Sequence, residues 1–167
     1  MFRKKNKLKL KEYKDIIVCS ICEALCIDDE PTYCMLNRNF IDVCFFNAKL
    51  HPWAVPVSLY FTYFPKSSSA IYRLVFEVKL PERADLDMEI AEFNRKFPNF
   101  PLTPFSVTNM DDTQSIVFSK DFLRFDEKNL HDIVYENIKG IVTEEFDLAA
   151  DSLIKAIMKN KINIIDA

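Results

Sequence analysis

The chain has 167 residues, 49% of them hydrophobic, with a formal net charge of −3 and one glycine, Gly140. That length and apolar content suit a single domain (residues 1–167) with a real core and exclude a disordered chain. Average usage would give roughly a dozen glycines, so a phosphate-cradling loop, a dinucleotide-binding turn and a nucleophile elbow are all excluded, and with them NTPase, nucleotide-dependent dehydrogenase and α/β-hydrolase chemistry.

The N-terminus is basic: Arg3, Lys4, Lys5, Lys7, Lys9 and Lys11 fall within residues 3–11. Such an arm binds nucleic acid or anionic lipid, or is a frayed end kept soluble by charge. No basic patch with interleaved aromatics continues into the body, which favours the frayed end and argues against nucleic-acid and membrane partners. Its charges recur too soon for a signal peptide, and no run of eighteen apolar residues follows. With five cysteines, an odd number, this reads as a cytoplasmic protein.

Helical periodicity runs from about Leu8 to Cys26. One stripe holds Tyr13, Ile17, Ile21 and Ala24, and an adjacent one Val18, Cys22, Leu25 and Cys26. Asp28-Asp29-Glu30-Pro31 ends it. Three strand-like runs follow: Phe40–Asn47, then a His51-Pro52-Trp53 loop; Pro56–Phe64, then a turn at residues 65–69; and Ala70–Leu80. In the last, Tyr72, Leu74, Phe76 and Val78 alternate with Arg73, Glu77 and Lys79. Asp85 is placed to cap a helix over Leu86–Phe97, with Met88, Ile90 or Ala91, Phe93 and Phe97 on its apolar side. A hairpin joins Phe105–Asn109 to Ser115–Phe118 through Met110-Asp111-Asp112-Thr113.

Asp126 caps the last helix, whose spacing runs from Leu130, Ile133, Val134 and Ile138 through Ile141, Val142 and Phe146 to Ala149, Leu153 and Ile157. About 34 residues of straight helix would span about 50 Å, against a radius of gyration near 15 Å for a domain of this size. The helix must therefore bend, break or project onto a partner. Gly140, mid-pattern, marks a kink or a close helix contact. The order α-β-β-β-α-β-β-α predicts an α+β fold, an antiparallel sheet with helices packed on it.

The passage IAEFNRKFPNFPLTPFSVTNMDDTQSIVFSKDFLRFDEKNLHDIVYENIKGIV resembles the YbjN family, whose fold is that of type III secretion chaperones. The similar features are a short helix ending in Phe93-Asn94-Arg95, a hairpin with a polar turn and a long acid-capped helix. In pattern the resemblance covers about residues 8–160, in texture about 90–150; the N-terminal half carries none of its texture. It implies a homodimeric, non-enzymatic binding or chaperone-like module, with no catalytic residues to carry over and no cofactor.

Candidate chemistry is sparse. Cys19, Cys22 and Cys26 are spaced to share one side of a helix, and this CxxC lies well inside it, not at its N-terminus where the dipole would activate a thiol. A zinc site wants a second ligand pair, and Cys34 and Cys44 lie ten apart. Buried packing is the expected role, with a metal or redox site using His51 as the alternative. His131, beside Asp132, reads as a boundary histidine, and Glu144, Glu145, Asp147 and Asp151 as a solvated helical face. No metal ligand and no catalytic residue is assigned.

The positive signal lies in the first sheet strands. Ile41, Val43 and Phe45 alternate with Phe40, Asp42, Cys44 and Phe46; Val57, Leu59, Phe61 and Tyr63 alternate with Ser58, Tyr60, Thr62 and Phe64. Both faces carry large aromatics, whereas a sheet with one wet face shows polar residues there. The second face is expected to be covered by a helix of the same chain, a second subunit or a client peptide. Phe40, Phe46, Tyr60, Phe64 and Gly140 are the partner-binding candidates, and the partners expected are a protein client and a second copy.

Overall fold

The structure is a computed structural model. It describes residues 2–46, 57–81, 86–122, 124–141, 143 and 148–157, without the side chains of 2–8, 57, 77–81 and 141. The His51-Pro52-Trp53 loop, Asp85, Glu144, Glu145 and Asp147 lie outside these residues, as do the side chains of Glu77, Val78 and Lys79.

Helix α1 spans Phe2–Leu25. The basic segment expected as a frayed arm is therefore the helix's first turns. Tyr13, Ile17, Ile21 and Ala24 are buried, as their spacing predicts. The helix ends with Cys26 at φ 54°, where Ile27 N donates to Cys22 O at 3.1 Å and Cys26 N to Glu23 O at 3.3 Å. These two bonds form a Schellman end, a left-handed position that glycine ordinarily takes.

Six strands form one antiparallel sheet in the order β1-β2-β3-β4-β6-β5. They are β1 (Tyr33–Leu36), β2 (Ile41–Phe45), β3 (Val57–Phe64), β4 (Ser69–Pro81), β5 (Thr103–Thr108) and β6 (Thr113–Phe122). The strand β1 is an addition to the predicted order, which becomes α-β-β-β-β-α-β-β-α. Only four residues long, it shows no alternation of its own, and just Cys34 in it is half-buried. The tight loop Asn37-Arg38-Asn39-Phe40 turns it into β2, with Asn37 N donating to Phe40 O at 3.0 Å and Asn39 N to Asn37 Oδ1 at 2.8 Å. In β4, Tyr72, Leu74 and Phe76 are buried and Arg73 is exposed, the period of two expected there. At the β5–β6 turn Asp112 takes φ 60°, and Asn109 Nδ2 ties the corner by donating to Thr113 Oγ1 and Ser115 Oγ at 3.0 and 2.9 Å.

Helix α2 (Leu86–Lys96) buries Leu86, Ile90 and Phe93; Met88, expected on its apolar side, is exposed. Asp126 accepts from Lys128 N at 3.0 Å and caps a 3-10 turn, Glu127–Asn129, that leads into α3 (Leu130–Ile141). The long helix is interrupted: α3 spans Leu130–Ile141, Thr143 lies in a bend, and residues 148–157 are helical. Gly140 is not a close helix contact, because a Cβ there would meet nothing within 4 Å. Its role is local, in a turn where helix is least favoured.

All these helices lie on one side of the sheet. Helix α1 packs on β1 and β2 and against α3, while α2 packs near β5. Ile17 and Ile21 join Val43, Phe61, Tyr72, Leu74, Phe118, Val134 and Leu153 in one core. Aromatic edges interlock at the far end, with Phe118 centred 5.2 Å from Phe76 and 5.9 Å from Phe93.

Candidate partner-binding surface

The register fixes which side chains share the outer face. One row crosses the sheet as Ser58, Val75, Val117 and Phe105; the next as Tyr33, Cys44, Tyr60, Arg73, Ser119 and Thr103. Asp42 and Thr62 lie in a third, with Met35 at its margin. No described helix packs on this side.

At the β1 end of this face the aromatics cluster. Tyr33 and Phe46 are centred 6.1 Å apart, Phe46 and Tyr60 6.0 Å apart, and the Arg73 guanidinium lies 5.9 Å from the Tyr60 ring. Phe46 is 44% exposed, Met35 48% and Tyr33 37%. Phe105 and Val107 add exposed apolar surface at the opposite edge. Beneath the cluster Asp42 organises the polar groups: Tyr33 OH donates to Oδ2 and Thr62 Oγ1 to Oδ1, each at 2.8 Å. The bond to Asp42 pushes the Tyr33 phenol up to about 12, so it stays protonated and keeps the ring pinned. Burial pushes the Cys44 thiol up to about 11, which leaves it inert.

Of the five predicted partner-binding residues, the structure brings Phe46 and Tyr60 together. Phe40 and Phe64, the next alternate positions toward the β1–β2 and β3–β4 turns, are half-buried. Gly140 is not part of this surface. It lies on α3, across the sheet, and lines a groove of about 710 Å³ with Phe97, Phe100, Leu148 and Ala149. Tyr33 and Met35 were not among the predicted residues. Their signal is the turn-forming Asn37-Arg38-Asn39, which implies a strand on each side.

The three cysteines of the helical pattern depart from expectation. Cys19 and Cys22 lie on α1 while Cys26 stands just past its end; Cys19 and Cys26 are exposed and Cys22 is half-buried, and the buried thiol is Cys44. Neither Cys19 nor Cys22 is activated. Cys19 donates to Glu23 Oε1 at 3.3 Å, which raises its pKa, and burial raises that of Cys22. Among the described residues no group of three or more His, Cys, Asp or Glu side chains is arranged to hold a metal ion. His131 bridges two helices, with Nε2 2.9 Å from Glu23 Oε2 and Nδ1 3.2 Å from Asp132 Oδ1. The thiol of Cys19 and the His131 ring meet the same Glu23 carboxylate, through Oε1 and Oε2. Asp151 pairs with Lys155 at 2.7 Å. Among the described residues no helix is long and apolar enough to cross a membrane.

Neither a family model, nor a curated protein, nor a solved structure matches the chain. The functional reading accordingly stands on the surface itself.

Proposed function

We propose that this protein is a non-enzymatic, chaperone-like binding module that buries an apolar or amphipathic segment of a protein partner on the outer face of its sheet, and that it acts in the cytoplasm as a homodimer. The observation that carries this reading is the one-sided placement of the helices: every described helix serves the inner face, while the outer face holds the Tyr33–Phe46–Tyr60 cluster with Met35 beside it. Tyrosine, phenylalanine, methionine and arginine are the residues that dominate recognition surfaces, because they offer large contact area at small conformational cost. The YbjN-like order of helices and hairpins is in keeping with such a role, and the mechanism needs no cofactor. A client segment gains by moving apolar area out of water at about 25 cal/mol per Å², with Asp42 and Arg73 giving it orientation.

The test is suppression of aggregation of an unfolded, reduced test protein, together with recovery of bound partner from a native lysate. Phe46→Ser combined with Tyr60→Ser is expected to abolish both and leave the melting temperature within a few degrees, since both side chains lie on the solvent side. Full activity in that double variant refutes the reading.

A further inference from the structure

The strand β1 is the end of the sheet, and among the described residues no strand lies beyond it. Natural edge strands are blunted with lysine, proline, a bulge or inward charge. The run Tyr33-Cys34-Met35-Leu36 has no charge and no proline. It is apolar on both faces, with Tyr33 and Met35 outward and Leu36, 43% exposed, on the helix side. The free backbone groups can be assigned. The bond from Asn37 N to Phe40 O closes the β1–β2 hairpin, and bonded pairs alternate along an antiparallel ladder. Met35 and Tyr33 therefore turn their N–H and C=O toward β2. Cys34 and Leu36 turn theirs away from the sheet.

The two ends of β1 carry opposite charge. Before it stand Asp28, Asp29 and Glu30, all exposed. After it stands Arg38, which shares a groove of about 360 Å³ with Lys9 and Lys66; Lys66 Nζ donates to Asn39 Oδ1 at 3.0 Å. An antiparallel arrangement about a two-fold axis brings the acidic end of one strand to the basic end of the other. A partner carrying this same strand is thus complementary to it in charge, in backbone pattern and in apolar content.

We propose that the free edge of β1 pairs antiparallel with β1 of a second copy, joining two six-stranded sheets into one. The outward groups set the register: Cys34 of each copy bonds Leu36 of the other, which makes four backbone hydrogen bonds, and Met35 faces Met35 on the axis. Arg38 of one copy then lies alongside the Glu30 end of the other. The two aromatic clusters become neighbours on a continuous outer face. The inference specifies the contact of the homodimer proposed above and so rests on that part of the reading.

Sedimentation of the full chain tests it. The expected species at up to about 200 µM has twice the 19.6 kDa of the chain. Leu36→Pro removes an outward N–H without touching the β2 ladder; it is expected to weaken association more than about tenfold, because each substitution counts twice, with an unchanged circular-dichroism spectrum. Arg38→Glu is expected to weaken it about fivefold, and Arg38→Glu with Glu30→Lys to restore it. A wild-type chain that sediments as a monomer at every concentration overturns the proposal. So does a dimer that neither Leu36→Pro nor Arg38→Glu weakens. Partner capture through Phe46 and Tyr60 is read separately: its loss or survival bears on the outer face, and sedimentation bears on the edge.

Discussion

Cys26, Ser68, Asp112 and Arg124 hold φ between 49° and 60°, while the one glycine sits in a helix. A side chain in the left-handed region costs roughly 1 kcal/mol that glycine avoids. Cys26→Gly is therefore expected to stabilise the fold by about 1 kcal/mol, since its side chain is exposed and the Schellman bonds are unchanged. Gly140→Ala is expected to add about 0.5–1 kcal/mol, because the new methyl meets nothing and the residue already lies in helix. Urea denaturation of each variant checks both, and a loss of stability in either counts against the local geometry described. The cysteines show what residue spacing can and cannot convey. Intervals of three and four predict Cys19, Cys22 and Cys26 on one side of a helix, but they say neither that the helix stops before Cys26 nor which side is wet. At 100° per residue Cys19 stands 200° from Ile17, and since Ile17 faces the core, Cys19 faces solvent. The orientation was legible in the stripe of Tyr13, Ile17 and Ile21, not in the thiols themselves.

Between elements, α1 is tied by ionisable groups to the 3-10 turn before α3 and to the first turn of α3. Tyr13 OH donates to Glu127, which Lys9 also meets at 3.4 Å; His131 meets Glu23. The bond to Glu23, with that to Asp132, raises the His131 pKa above its ordinary 6.5. Folded His131 thus holds its proton more tightly than the unfolded residue does. The contribution is complete below the ordinary value and is lost as pH rises through the folded one. The pair is about half exposed, so solvent screens it and the effect is expected to be small. The melting temperature of Glu23→Gln should fall furthest below wild type on the acid side of the ordinary histidine value and converge with it as pH rises past the raised one. An NMR titration of the His131 ring should show its pKa drop in that variant. At this scale most helices and strands were legible. The alternating runs in β2, β3 and β4 stated their faces, and the Asp126 cap stated where the last helical region begins. The strand β1 was legible only through the turn-forming Asn37-Arg38-Asn39, because four residues with mostly exposed side chains leave no alternation of their own. The interruption at Thr143 was half legible: the 3.6 period continues through residues 141–148 as if the helix did, and only the length argument and Gly140 spoke against it.

For the whole molecule, the one-sided layering explains why aromatic content exceeds what one core needs. Inner-face rings such as Phe61, Tyr72, Phe76 and Phe118 are fully buried, whereas Phe46 and Tyr33 are not. That both sheet faces were aromatic could be read from β2 and β3. Which face the helices cover could not, since it depends on how α1 and α3, more than 100 residues apart in sequence, dock beside each other. If the outer cluster is a binding surface, it is also a place where an environment-sensitive dye should bind to the native state. Fluorescence of such a dye is expected to rise with wild-type protein and to fall by more than half in the Phe46→Ser, Tyr60→Ser double variant. Equal signal from both proteins would locate the apolar surface elsewhere, as in the groove beside Phe97 and Leu148.

Helix α1 is joined to the 3-10 turn and to α3 by Tyr13 with Glu127 and by Glu23 with His131, across 114 and 108 positions of chain. During synthesis α1 therefore leaves the ribosome well before the residues that shelter it. Until Leu130 and the residues after it emerge, the flank that α3 will occupy is open to water and to any holdase that meets it. Nascent chains stalled before Leu130 should accordingly be far more sensitive to protease within α1 than chains released whole.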